Sequence, residues 1–167
     1  ISKRNIEGML RGTAIAMALI SLILIVALKS VPIGLLSLVP NFVPAAMAFG
    51  LWGYLIGNVG VAASVVTAVT FGIVVDDTIH FLSKYLRARR ERKLDPQNAV
   101  RFAFRSVGHA LWTTTAVLAA GFIVLSTSGF EVNWSLGLLT AMTIVIALAA
   151  DFFFLPPLLM KLDRSKS

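Results

Sequence analysis

Three acidic residues stand inside long apolar runs of this sequence: Asp76, Asp77 and Asp151. An ionisable side chain in lipid costs roughly 2.5–3.5 kcal/mol on insertion scales, so such residues usually serve a function. A carboxyl group packed among apolar side chains holds its proton more tightly than in water, and a second carboxyl beside it adds to the effect. Such a group can be neutral towards one compartment and ionised towards the other, which is what proton coupling needs. Asp76 lies on a four-residue ridge reading Gly60, Ser64, Ala68, Gly72, Asp76, His80, whose small residues would admit a neighbouring helix backbone. Asp77 points about 100° away, so the two need not face the same partner. Asp151 precedes Pro156 and is expected nearer the charged edge of its span. His80 suits a proton relay near neutral pH, or an interfacial site close to Lys84. Thr113, Thr114 and Thr115 can hydrogen-bond an aspartate on another helix or satisfy their own backbone carbonyls. In the plainer alternative, the aspartates only hydrogen-bond to neighbouring helices and hold the bundle together.

The elements that must position these groups are helices in lipid. Hydrophobic residues make up 57% of the chain and charged residues 14%, against about 45–50% and about 25% in soluble domains. The mean hydropathy is +0.86. The fold class expected is all-α, a polytopic membrane domain. A span takes about 20 apolar residues, and five stretches qualify: about 9–28, 33–56, 59–85, 108–128 and 134–159. Pro40 and Pro44 suggest a kink in the second. Asp95 and Pro96 form an N-cap and first-turn pair, predicting a short amphipathic interfacial helix over 96–107. The net charge of +7 fits membrane topology better than a nucleic-acid partner, because the basic residues fall between apolar blocks. In an alternating five-span arrangement, twelve of the fifteen Lys and Arg residues fall on one side, which is then cytoplasmic. Lys3, Arg4 and Arg11 fall outside. The outward, basic start at Ile1, with no leader, reads as a fragment whose preceding domain is already translocated. With no cysteine and only His80 and His109, no metal or other cofactor is expected.

The run from Gly72 through Asp76-Asp77-Thr78 to Tyr85 resembles the fourth and tenth spans of resistance-nodulation-division (RND) transporters, especially the MMPL-like exporters. Pro40-Asn41-Phe42-Val43-Pro44 resembles the Pro-Asn-x-x-Pro segment of that family. The segments at Ala99 to Gly108, Thr114 to Phe122 and Leu155-Pro156-Pro157-Leu158-Leu159 are similar to family segments in the family's order. The resemblance implies the last five spans of a two-half, twelve-span protein, with a missing N-terminal half and extracytoplasmic domains as partners. It implies that Asp76 and Asp77 take up and release protons, supported by Thr114, Thr115, His80 and Asp151. The protein would be a proton-motive-force-driven exporter of lipids or other amphipathic molecules in the bacterial inner membrane. Its N terminus would be extracytoplasmic and its C terminus cytoplasmic, and it would not be an enzyme.

Other readings share these ingredients. A sterol-sensing-type membrane sensor has a related five-helix arrangement, but no need of a titrating pair. A secretion-accessory subunit of the same superfamily is a closer competitor. An intramembrane aspartyl protease would use Asp77 and Asp151, but the Gly-x-Gly-Asp and Tyr-Asp signatures are absent. The assembly state stays open, an oligomer included.

Overall fold

The computed structural model describes residues 3–56 and 62–164. Those residues form seven helices and no strand: α1 (Lys3–Leu28), α2 (Val31–Leu36), α3 (Leu38–Leu55), α4 (Ala62–Arg90), α5 (Pro96–Leu125), α6 (Glu131–Phe153) and α7 (Leu155–Arg164). The 29 residues of α4 and 30 of α5 correspond to about 44–45 Å at 1.5 Å per residue, the thickness of a bilayer with its headgroups. By length and composition, Val31–Leu55, Pro96–Leu125 and Glu131–Asp163 can each cross a membrane. Large apolar side chains such as Leu22, Val26, Met47, Val117 and Val124 are exposed, as lipid-facing residues are.

Prolines decide where helices bend. Pro40 has no N–H for the carbonyl of Leu36, and its ring crowds that carbonyl, so the expected second span breaks at Ser37 into α2 and α3. Ser37 adds to the bend by donating its hydroxyl to Gly34 O at 2.7 Å. Pro156 and Pro157 likewise separate α6 from α7 at Phe154. At the end of α1, Lys29 takes a left-handed conformation (φ 48°) and Ser30 is extended, which turns the chain into the Pro32 start of α2.

One expectation changes outright. The separate interfacial helix over 96–107 and the span over 108–128 are a single helix, α5. The cap was correctly placed, since Asp95 accepts from the Asn98 amide N–H. The Asn98 side chain also donates to Asp95 and holds its carboxyl below the usual carboxylate range. Nothing between Val107 and Gly108 stops the helix, however: there is no proline, and the backbone ladder continues. The start of the expected third span, including Gly60, lies outside the described residues, as do the side chains of Ser64 and Ala68.

Helix α6 is the centre of the bundle, packing on α3, α4, α5 and α7. Its buried face carries Gly137, Ala141, Ala147 and Asp151, small enough for close helix approach. At one end, Trp52 and Trp134 stack tilted with ring centroids 5.6 Å apart. At the other, Phe81, Phe104 and Phe152 meet edge to face at 4.9 and 5.2 Å, next to buried Tyr85, Leu155 and Leu159. Gly137 is the tightest approach: a Cβ there would lie 2.5 Å from Phe122 O and 2.6 Å from Ser126 N, both backbone. Gly137→Ala should destabilise the purified protein by about 1–3 kcal/mol, read as a lower Tm in detergent. Gly121→Ala, whose Cβ would meet nothing within 4 Å, should leave Tm unchanged or raise it.

Candidate functional site: a polar centre between α3, α4, α5 and α6

Buried polar side chains gather where α6 crosses its neighbours. Asn41, Thr70, Thr78, Thr115, Thr140, Thr143 and Asp151 are all nearly inaccessible. Some bond within their own helix. Thr70 donates to Val66 O and Thr143 to Leu139 O, each at 2.7 Å, the usual fate of threonine in a span. Thr78 is different. Its Oγ1 lies 2.8 Å from Asn41 Oδ1 and 3.1 and 3.3 Å from the two carboxylate oxygens of Asp151, as well as 3.1 Å from Val74 O. One residue of α4 therefore joins α3 to α6.

A proton count orders this link. A threonine hydroxyl has one hydrogen to donate, yet carboxylate and carbonyl acceptors surround Thr78, while Asn41 Nδ2 has no partner. The oxygen and nitrogen of an amide are interchangeable in placement. With Nδ2 turned to Thr78, the amide donates to Oγ1 and Oγ1 donates to Asp151, and the orphaned donor is used. Asp151, 1% exposed, would then end a directed chain of donors.

Asp77 lies on the adjoining face of α4. It is half-buried, its carboxylate meets the hydroxyl of Thr115 from α5, and it is close enough to Asp151 and to Asp76 for their charges to act on each other. Asp76 behaves otherwise. Its side chain is 70% exposed, with its Oδ1 3.6 Å from His80 Nε2 one turn on. Gly72, the preceding member of the ridge, is exposed as well, and a Cβ there would touch nothing. The expected close approach of another helix at Asp76 is thus not made by any described residue. Of the threonines, Thr115 faces Asp77, while Thr113 and Thr114 bond to carbonyls of their own helix, His109 O at 2.8 Å and Ala110 O at 3.0 Å.

Asp151 was expected near the charged edge, where its solvation would be easy. The bend at Leu155–Pro157 instead carries the basic tail away on α7 and leaves Asp151 inside the last turn of α6. Thr78 and Asn41 were not singled out in advance. The signal was present in part: Thr78 follows the aspartate pair directly, and Asn41 is the one amide within the proline-flanked segment. Among the described residues, no group of His, Asp and Glu is arranged to hold a metal.

These features define a helical membrane protein with carboxyl groups inside its bundle. The sequence pattern of the MMPL family matches residues 2–166, and the chain belongs to that family, a grouping of RND-type membrane transporters. No curated protein matches the chain. Thr78→Val keeps the shape and removes the hydroxyl, so Asp151 and Asn41 lose their shared partner. The variant should lose about 1–3 kcal/mol of stability, whereas Thr78→Ser should lose little. Thermal unfolding of both in the same detergent checks this.

Proposed function

We propose that this chain is the proton-coupling membrane domain of an exporter of lipids or other amphipathic molecules, with Asp76 and Asp77 as the groups that take up and release protons. The observation that carries the reading is the exposed carboxylate of Asp76 in mid-helix, between apolar turns and far from the Arg87–Arg90 end of α4. Lipid does not solvate such a group. Intramembrane acids face a bundle interior or a water-filled cavity, so this face of α4 belongs against further protein, a companion half of the transporter. Asp76 and His80 then line the path by which protons reach Asp77.

In this reading Asp77 changes partner with its charge. Ionised, it holds the Thr115 hydroxyl of α5. Protonated, it becomes a donor itself and weakens its claim on Thr115, freeing α4 to shift against α5. The Asn41–Thr78–Asp151 chain keeps α4 fixed to α3 and α6 meanwhile, so the movement is directed to one side of the bundle. In this reading the chain has five spans, with the basic ends of α4 and α7 and the Lys29 turn cytoplasmic and the α1 start extracytoplasmic, and the membrane is a bacterial inner membrane. Substrate would move through domains beyond this chain.

Two variants test the reading in the full-length protein reconstituted with an imposed proton gradient. Asp76→Asn, altering an exposed side chain, should shift stability by no more than about 0.5 kcal/mol while abolishing gradient-driven export. Asp77→Asn should do the same to export. Wild-type export by either variant would overturn the coupling role. Ligand binding indifferent to collapse of the gradient, with no export by the wild type, would favour a sensor.

A further inference from the structure

The basic end of the bundle holds a cleft that the coupling chemistry does not use. It lies between the α1–α2 turn and the end of α4, has a volume of about 350 Å³, and is lined by Ser30, Ile33, Leu86, Arg89, Arg90 and Lys93, with Tyr85 and Asp163 at its back. The charges within it are not balanced. Asp163 is already engaged, accepting from Tyr85 at 2.6 Å and from Arg89 Nε at 2.7 Å. Arg89 is committed further, to Leu94 O at 2.6 Å. Arg90 spends one N–H on Lys29 O at 3.0 Å. Among the described residues, neither Arg90 nor Lys93 has a carboxylate within ion-pairing distance. Three cations against one anion leave the cleft with a charge of +2.

The walls are of two kinds. One side offers guanidinium, ammonium and the Ser30 hydroxyl. The other is apolar, formed by Ile33 and Leu86. Arg87, Arg89 and Arg90 fill the last turn of α4, with Lys29 and Lys93 in the turns after α1 and α4, and such basic clusters mark the level at which helices leave the apolar layer. A phosphodiester carrying acyl chains matches both walls, the phosphate against Arg90, Lys93 and Ser30 and the chains against Ile33 and Leu86. Basic pockets between helices at this depth favour anionic lipid headgroups.

We infer that this cleft is a binding site for an anionic phospholipid of the surrounding bilayer, held as a resident lipid rather than as cargo. The inference stands apart from proton coupling, since it uses none of the aspartates of the polar centre. The site ties α1 and α2 to the end of α4, whose further turns carry Asp77.

Native mass spectrometry of the full-length protein, stripped of lipid and titrated with phosphatidylglycerol or phosphatidylcholine of the same chains, tests it. Phosphatidylglycerol should bind in preference. Arg90→Gln with Lys93→Gln should weaken that binding by roughly tenfold or more, at about 1 kcal/mol per basic residue, and Lys93→Gln alone by a few-fold. Arg101→Gln with Arg105→Gln removes the same charge from exposed positions on α5 and should leave binding unchanged. Equal losses from the two double variants would show diffuse surface attraction and overturn the site. So would a lack of headgroup preference, or displacement of the lipid by inorganic phosphate at matching concentration. Because Lys93 has no side-chain partner among the described residues, the single variant reads binding even if the double variant folds poorly.

Discussion

A polar group surrounded by hydrocarbon and helices must find its partner inside the protein, because no water is there to take its place. The link Asn41–Thr78–Asp151 meets that constraint for three helices at once. Any rotation of α3, α4 or α6 about its axis would strand a carboxyl, a hydroxyl or an amide, at a cost of about 1–3 kcal/mol for each group left unpaired. Apolar packing of Leu, Ile and Val tolerates small slides, since lipid chains and side chains are alike. The polar link does not, and it sets the register of the bundle.

Around that link the remaining packing falls into place. Small residues on α6 let it occupy the centre, with Gly137 against the backbone at the end of α5. Tryptophans close one end, and a phenylalanine cluster closes the other. Beyond the phenylalanines, α4 and α7 are joined by Tyr85, Arg89 and Asp163, a second polar tie at the level where water begins. Just before the first tie, α4 carries its aspartates to opposite fates. Asp77 is turned inward to Thr115, and Asp76 outward beside His80.

The contrast between Asp151 and Asp76 shows how a membrane bundle sorts its charges. Asp151 has its partners within the chain and is sealed. Among the described residues Asp76 has only His80, one turn along the same helix, and stays open to whatever covers that face of α4. Two carboxyls of one bundle can thus differ wholly in surroundings, one sealed among its partners and the other exposed.

Much of this was legible in the sequence. Long apolar runs dictated an all-helical membrane fold, the Asp95–Pro96 pair marked a helix start, and Asp76-Asp77 pointed to the family before any coordinates. Prolines announced bends, although only the structure shows the first break one turn earlier, at Ser37, next to the Leu36 carbonyl that Pro40 leaves without a donor. The end of a helix was harder to read than its start. Residues 96–107 are amphipathic enough to lie flat on a membrane, but periodicity alone does not say whether a helix stops or runs on. Sequence spacing by itself determined which residues share a face of α4. Only tertiary packing decided which of those faces is covered, because burial depends on neighbours distant in the chain. That is why Thr78 and Asn41, 37 residues apart, joined the site unannounced, and why Asp151 proved to be sealed inside it.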